Sequence, residues 1–445
     1  MTLQERDNEV IWHPFTHQKN RKPPMPIVKG EGTLLFDEDG NEYIDAISSW
    51  WVTIHGHANK YIAEKLYKQA ITLEQVIFAG FTHEPAVSLA ERLLPILPNN
   101  FSKIFYSDNG STSTEVAIKM SLQYWWNSEA LTVNSFSLTD SRNQRSTVNG
   151  KRKKLLAFND AYHGDTFGAM SVSDRSVFTL AFHDKLFEVL FIDTPNEANI
   201  DALKTIINNE GDAIAAFIYE PLVQGAGGMK MYDAQWMDEL LKAVKANDII
   251  CIADEVMTGF GRTGKLFASE YMTEKPDIIC LSKGLTGGTM ALGVTACTDR
   301  IYQAYLSDDK MKTFFHGHSF TANPLACTAA LASMDLLLKE ECLQQIQRIS
   351  EENKQFANKL TTYNFQLSTK NIRTLGTIIA FELDKGKDEY LNDIATVITQ
   401  KALELGVYIR PLGNTVYIMP PYCITKEELN KVYETIIILI KSFNQ

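Results

Sequence analysis

Short apolar runs alternate with longer amphipathic stretches through the middle of the chain. The runs read KIFYS from residue 103, KLLAFN from 154, EVLFID from 188, AIAAFIYEP from 213, DIICIADE from 248 and DIICLSKG from 277. This alternation is typical of a mostly parallel sheet wrapped by helices. The pattern therefore predicts an α/β fold.

After about residue 340 the pattern changes to helix-period stretches and two further apolar runs, TIIAFEL and TVYIMPP. This change predicts a smaller α+β domain. Another segment, from about 127 to 150, is polar, rich in serine, threonine and asparagine, and aperiodic. We interpret it as a surface excursion and not as a linker between domains.

Composition narrows the class of protein. The 445 residues are 45% hydrophobic and 22% charged, which is ordinary for a globular protein of two or three domains. The net charge of -11 argues against binding nucleic acid or an anionic membrane through bulk electrostatics. We therefore expect small-molecule partners, with no nucleic acid and no membrane.

The apolar stretches and the cysteines indicate where the protein works. No uncharged apolar stretch approaches the roughly 20 residues that span a bilayer, and the start of the chain is too charged for a secretory signal. The six cysteines are scattered, with no C-x-x-C pair and no paired histidines at zinc spacing. These features predict a cytoplasmic protein without a structural metal.

Two ionisable residues stand at the ends of predicted strands. Lys283 follows the apolar run IICL, at the edge where open α/β sheets place ligands. A partly desolvated lysine there has a lowered pKa and can form a Schiff base, whereas a solvated loop lysine would have no such role. Asp254 follows the run ICIA. In a structural role, its carboxylate would cap a helix or join an ion pair. In a functional role, it would bind a cationic ring nitrogen or a metal.

Two turns could hold a flat, phosphorylated ligand. Gly110 and Ser111 lie where a strand leads into a helix, and would form either a phosphate cradle or a simple helix cap. Tyr162 follows the strand predicted from residue 154, where its ring would stack on a cofactor or only pack. Together with Lys283 and Asp254, these turns supply what pyridoxal phosphate requires: a lysine, an acid for the pyridine nitrogen and a phosphate anchor.

The segment GFGRTG, residues 259–264, supports a different interpretation, because it matches the G-x-G-x-x-G spacing of dinucleotide-binding turns. True dinucleotide-binding turns follow their strand immediately, whereas five residues separate Ala253 from Gly259. An NAD-dependent oxidoreductase is therefore the less favoured alternative.

Five motifs occur in order along the chain: SDNGSTSTEVAIKM, AYHGDTFGAMSV, EPLVQGAGGM, DEVMTGFGRTG and LSKGLTGG. In order and spacing they resemble the class III aminotransferases of the fold-type-I pyridoxal phosphate superfamily. Four further segments, IWHPFT, SSWWVTIHG, FFHGHSFTANPLAC and GVYIRPLGNTVYIMPPY, are similar to one branch of that class. Enzymes of that branch transfer the amino group of S-adenosylmethionine to 8-amino-7-oxononanoate in biotin biosynthesis, by a ping-pong route.

The resemblance implies a fold and an assembly. It implies a homodimer with active sites at the subunit interface. Residues 49–339 would form a large domain around a seven-stranded, mostly parallel sheet. Residues 1–48 and 340–445 would form a small α+β domain from both ends of the chain.

The resemblance also assigns cofactor roles to single residues of this sequence. Lys283 would be the Schiff-base lysine, and Asp254 would pair with the pyridinium nitrogen. Gly110 and Ser111 would hold the phosphate, while Tyr162 would lie near the ring and take part in catalysis.

The remaining assignments concern the partner subunit and the substrate. Gly317, His318 and Ser319 would come from the other subunit, Gly317 toward the substrate and the Ser319 hydroxyl toward the phosphate. An aromatic tunnel that ends in a bidentate cation suits an acceptor with a long apolar chain and a terminal carboxylate, although SSWW could equally pack in the core. The substrate-binding residues would be Phe15, Trp50, Trp51, Arg410 and Tyr417.

Two positions depart from the usual pattern of that branch. His318-Ser319 stands where Pro-Thr is usual, so the hydroxyl is kept but the loop can lie differently. Phe15 stands where tyrosine is usual, so it can stack on an adenine but cannot donate a hydroxyl hydrogen bond. We expect S-adenosylmethionine as amino donor. The alternatives are a lysine-using enzyme, another class III ω-amino acid aminotransferase and a regulator built on this fold.

Overall fold

The computed structural model describes residues 1–129, 152–362, 369–383 and 394–442. From residue 130 onward, the predicted polar excursion lies outside the described residues. The helices in the described ranges are α1 (Leu3–Val10), α2 (Ser48–Trp51), α3 (Lys60–Ala70), α4 (Glu84–Leu93), α5 (Gly110–Glu129), α6 (Phe167–Val172), α7 (Ile200–Glu210), α8 (Ala234–Ala246), α9 (Asp299–Gln303), α10 (Pro324–Leu337), α11 (Glu340–Thr362), α12 (Ile394–Glu404) and α13 (Lys426–Ser442).

The strands in the same ranges are β1 (Ile27–Glu31), β2 (Leu34–Asp37), β3 (Glu42–Asp45), β4 (Phe101–Ser107), β5 (Lys154–Phe158), β6 (Val189–Ile192), β7 (Ile214–Tyr219), β8 (Val223–Gln224), β9 (Lys230–Met231), β10 (Ile250–Asp254), β11 (Ile278–Leu281), β12 (Gly293–Thr298), β13 (Thr369–Leu375), β14 (Ile378–Leu383), β15 (Val407–Tyr408) and β16 (Thr415–Ile418).

Seven of these strands form one sheet in the order β4-β12-β11-β10-β7-β5-β6. Neighbouring strands are parallel except at β12, which runs antiparallel to both β11 and β4. The predicted α/β class and mostly parallel sheet are confirmed. The sequence pattern did not identify β12, because half of its segment GVTACT is glycine or threonine.

Helices cover both faces of this sheet. Ile250 and Ile252 of β10 belong to one buried cluster with Val116 of α5, whereas the intervening Cys251 belongs to another with Leu240 of α8. Every residue of β7, β10 and β11 is consequently buried. Burial on both faces explains why these strands read as continuous apolar runs instead of alternating ones.

Both ends of the chain contribute to a second sheet, of order β1-β2-β3-β15. Within it β15 pairs in parallel with β3, so that Tyr408 lies opposite Asp45. The runs TIIAFEL and TVYIMPP form β14 and β16 of a three-stranded sheet, β13-β14-β16. The boundaries proposed for the two domains stay a prediction.

Across the described ranges, no helix combines the length and the apolar character needed to cross a membrane.

Candidate active site

The residues predicted at strand ends meet at one edge of the seven-stranded sheet. Asp254 is the last residue of β10, and Lys283 follows the end of β11. Gly110 begins α5, shortly after β4 ends at Ser107. Because β4, β10 and β11 run in the same direction, their carboxyl ends converge, which is where ligands bind in open α/β sheets.

A cavity of about 420 Å³ lies at this edge. Its lining includes every residue that the sequence predicted to contact the cofactor from within one chain: Gly110, Ser111, Tyr162, Asp254 and Lys283. The structure therefore brings together residues that are far apart in the sequence.

Lys283 is held at the cavity wall in an unusual backbone conformation. Its φ of 46° lies in the left-handed region that residues other than glycine seldom adopt. Its Nζ lies 4.6 Å from the centre of the Trp51 ring. Burial lowers the pKa of the Lys283 ammonium to about 8, against the opposing charges of Asp254 and Glu220. A neutral amine, which a nucleophilic lysine requires, is thus accessible near physiological pH.

Asp254 is buried and held from two sides. One carboxylate oxygen accepts the backbone N–H of Val256 at 3.0 Å, and the other lies 2.7 Å from Nδ1 of His163. Among the described residues, the buried Nε2 of His163 has no hydrogen-bond partner. The result is a carboxylate of fixed orientation at the cavity wall, as a cationic ring nitrogen would require.

The start of α5 forms a cradle that admits only small residues. A Cβ on Gly110 would come within 2.7 Å of Val256 Cγ1, and one on Gly164 within 2.1 Å of Ser111 Oγ. The first N–H groups of a helix have no carbonyl of a preceding turn to bind, and the helix dipole favours an anion there. This arrangement fits a phosphate group.

Glu220 is a cavity residue that the sequence analysis missed. It directly follows the apolar strand β7, which is the same signal that identified Asp254 after β10. Its carboxyl oxygens accept the N–H of Tyr162 at 3.0 Å and the N–H of Gly225 at 2.9 Å. Burial raises the pKa of Glu220 to about 7. Glu220 thereby fixes the turn that carries the Tyr162 ring.

The predicted substrate residues cluster beside the cavity. Trp51 is 4% exposed and lines it, whereas Trp50 is 40% exposed. The guanidinium carbon of Arg410 lies 4.7 Å from the centre of the Trp50 ring, and the Phe15 ring packs edge-on against the same ring at 5.5 Å. Tyr417 is buried behind Trp51, whose Nε1 donates to the Tyr417 hydroxyl at 2.9 Å.

Residues 317–319 lie apart from the cavity of their own chain. Gly317 and Ser319 are exposed, and neither they nor His318 line the cavity. The His318 ring lies 3.0 Å from the His316 ring and 3.6 Å from an Asp108 carboxylate oxygen. The contribution of residues 317–319 to the site of a partner subunit stays a prediction.

The GFGRTG segment is not a dinucleotide-binding turn. Residues 259–264 lie in turns, and within this described segment no helix begins that could receive a pyrophosphate. Arg262 is instead buried and donates to the carbonyl oxygens of Pro420 at 2.8 Å and Trp51 at 3.4 Å. Because no helix begins within this described segment, the dinucleotide interpretation of the motif is wrong. Its arginine instead holds the Trp51 backbone in place.

Residues 15–440 match the family described as Aminotransferase class-III, and the chain belongs to that family. It is 44% identical to the adenosylmethionine-8-amino-7-oxononanoate aminotransferase of Synechococcus elongatus, over 96% of this chain and 97% of that protein. The enzyme of the same name from Helicobacter pylori is 37% identical, over 96% of this chain and 94% of that one. The crystal structure of the Methanocaldococcus jannaschii enzyme of this name superposes with a TM-score of 0.89 at 34% identity, covering 99% of this chain and 98% of that chain.

Class III aminotransferases depend on pyridoxal 5′-phosphate. The cavity contains an amine of lowered pKa, a buried carboxylate, an aromatic ring and a helix N-terminus. These are the groups that this cofactor requires, so the residues present fit it.

Replacing Asp254 should lower the pKa of Lys283 below about 8 in the cofactor-free protein, because the carboxylate stabilises the ammonium form. The measurement is the pH dependence of reductive methylation at Lys283, followed by mass spectrometry in the wild type and in Asp254→Asn. The midpoint should move to lower pH. Glu220→Gln is the matched control and should move it less, because the Glu220 carboxyl is itself partly protonated near neutral pH. A midpoint that stays in place or rises in Asp254→Asn would contradict this arrangement.

Proposed function

We propose that the protein transfers the amino group of S-adenosylmethionine to 8-amino-7-oxononanoate, giving 7,8-diaminononanoate for biotin biosynthesis. Relatives that carry this enzyme's name share up to 44% identity over nearly the whole chain. The observation that carries the proposal is the contact between Arg410 and Trp50 beside the cavity. Aromatic walls and a guanidinium suit an acceptor with an apolar chain and a terminal carboxylate.

The cavity residues take the following roles. Lys283 would hold the cofactor covalently, Asp254 would bind its ring nitrogen, Gly110 and Ser111 would bind its phosphate, and Tyr162 would lie against its ring. Pyridoxal 5′-phosphate supplies an electron sink, which labilises the proton on the carbon that bears the amino group.

Lys283 also moves the proton. With its amine free, Nζ would take the proton from the carbon that bears the donor amino group and return it to a carbon of the cofactor. Its pKa, lowered by burial to about 8, suits both steps near neutral pH. The Trp51 ring, 4.6 Å from the Nζ, covers the amine on one side and excludes water there.

The protein acts as a homodimer. Large apolar side chains are exposed in two segments, residues 77–81 and the residues around 317–319. Gln75 connects the two segments, because its side-chain amide donates to the Ser319 carbonyl oxygen at 2.7 Å. Exposed apolar surface of this kind marks a protein interaction site. The exposed side chains are Ile77 at 60%, Phe81 at 62%, Phe315 at 72% and Phe320 at 60%.

The cytoplasm is the proposed location. All six cysteines of the chain are free thiols, five of them buried. Free thiols persist in a reducing compartment.

The donor is tested by following the absorbance of the bound cofactor in single half-reactions. S-adenosylmethionine alone should change that absorbance, and 8-amino-7-oxononanoate added afterwards should restore it. Lysine alone should change it far more slowly, because Phe15, 46% exposed and packed on Trp50, offers an aromatic face that suits an adenine. Consumption of lysine alone would overturn the donor, and cofactor colour without turnover of any donor would favour a regulator.

Arg410→Ala should weaken the keto acid half-reaction by roughly 2 to 5 kcal/mol in kcat/KM, the usual cost of truncating a buried charge pair. The donor half-reaction should suffer far less, because S-adenosylmethionine has no long-chain carboxylate. Arg300→Ala is the matched control, since Arg300 also lies over an aromatic ring, that of Tyr124, but far from the cavity. It should leave both half-reactions unchanged. Equal losses in both half-reactions of Arg410→Ala would indicate a folding or assembly defect instead.

Phe320→Asp should shift the protein from dimer to monomer in sedimentation equilibrium, because it places a charge in the proposed apolar interface. The monomer should also retain the cofactor less tightly, since Ser319 could no longer reach the partner's phosphate. Val397→Asp is the control, because Val397 is likewise exposed but lies on α12. A wild-type protein that sediments as a monomer while it turns over both substrates would rule out the dimer.

A further inference from the structure

We infer that Asp45 is a positioning residue for acceptor recognition, acting through the cluster formed by Trp50, Trp51 and Arg410. This inference rests on the proposed function, because it concerns how the carboxylate of the acceptor is bound. Asp45 is the last residue of β3, and its side chain is fully buried.

The segment Ser48–Trp51 after β3, assigned to α2 above, departs from helical geometry and forms a turn with a strained backbone. Ser48, Ser49 and Trp51 have φ angles of 53°, 60° and 68°, in the left-handed region. Ser49 is the most unusual of them, because its ψ of -93° takes it outside the left-handed helical region as well. Such conformations persist only where the surrounding structure holds them in place.

The Asp45 carboxylate holds this turn in place. One oxygen accepts the N–H of Ile47 at 3.2 Å, and the other accepts the N–H of Ser49 at 2.6 Å. The second oxygen also accepts the Ser49 hydroxyl at 3.4 Å and lies 2.9 Å from Nε2 of His57. Since the carboxylate is excluded from water, relaxation of the turn would leave its oxygens unpaired, at a high cost in free energy.

Asp45 also lies where the pairing of two strands determines the distance between the turn and Arg410. Tyr408 of β15 pairs with Asp45, and the N–H of Ala46 donates to the Tyr408 carbonyl oxygen at 3.1 Å. Arg410 lies two residues beyond the end of β15, and its guanidinium carbon lies 4.7 Å from the Trp50 ring centre. The strand register and the Asp45 carboxylate together determine where the ring and the guanidinium meet.

Trp50 depends on this turn more than Trp51 does. Trp51 is also held by the Tyr417 hydroxyl, at 2.9 Å from its Nε1, and by Arg262, which donates to its carbonyl oxygen at 3.4 Å. Trp50 is 40% exposed, and its ring contacts are with Arg410 and Phe15. Loss of Asp45 should therefore displace the surface that recognises the distal carboxylate more than the cavity around the cofactor.

The test compares the keto acid acceptor with its methyl ester, which lacks the carboxylate charge. The wild type should prefer the acid. In Asp45→Asn, where an amide NH₂ must face one of the donors, the ratio of the two kcat/KM values should fall about tenfold or more, mainly through KM. Asp37→Asn is the matched control. Asp37 is likewise buried at the end of its strand and accepts the N–H of Asn41 at 2.8 Å, away from the cavity. It should leave the ratio unchanged.

Two further variants separate positioning from general stability. Ser49→Gly removes the steric cost of the positive φ together with the long 3.4 Å hydroxyl contact to residue 45. In the Asp45→Asn background the first effect should prevail and restore part of the preference for the acid. His57→Gln, which disturbs only one of the four contacts of the Asp45 carboxylate, should lower the ratio less and serves if Asp45→Asn does not fold. Equal losses for acid and ester in Asp45→Asn, or the same change of ratio in Asp37→Asn, would show that Asp45 is only structural.

A measurement without substrate keeps this inference distinct from the proposed function. In protein labelled with 5-fluorotryptophan, Trp50→Phe and Trp51→Phe assign two fluorine resonances. Asp45→Asn should shift both, that of Trp50 more, while Asp37→Asn should shift neither. If the wild type does not prefer the acid over the ester, the proposed function is wrong and the resonances still report on Asp45. If the two fluorine resonances do not shift in Asp45→Asn, Asp45 has no positioning role.

Discussion

The active site depends on one electrostatic constraint: an amine that must be neutral to react lies among carboxyl groups that favour its charged form. Burial lowers the pKa of Lys283, while Asp254 and Glu220 oppose that effect. The fold satisfies both demands by placing the three groups at the ends of adjacent parallel strands, β11, β10 and β7. Each group is then desolvated by the sheet and its helices, yet open to the same cavity.

The sequence predicted the parts of the site that depend on a single strand end. Lys283 and Asp254 stand out because a charge directly after a buried apolar run needs an explanation, and Glu220 after β7 met the same criterion but was overlooked. The family resemblance assigned Trp50 and Arg410 to one substrate site, but the residue pattern alone could not predict their contact, because it depends on the pairing of β3 with β15 across most of the chain. The contact of Asp254 with His163 was hidden for a similar reason, since it joins the end of β10 to the loop that follows β5.

The GFGRTG segment illustrates how a spacing can mislead. Two of its glycines have φ of 98° and 94°, and a Cβ on Gly261 would come within 2.6 Å of an Ile346 methyl carbon. These glycines are required by turn geometry and by close packing against α11. A glycine motif indicates that the backbone turns tightly. Only the fold shows which groups that backbone approaches.

The structure places the cofactor cavity at the edge of the seven-stranded sheet, whereas Arg410, which contacts Trp50, lies just beyond β15 at the edge of a separate sheet. Under the proposed function, substitutions near the second sheet can therefore alter which carbonyl compound is accepted while the first sheet retains its chemistry. An enzyme of this architecture can then be adapted to new acceptors through the two ends of its gene, with the middle left unchanged.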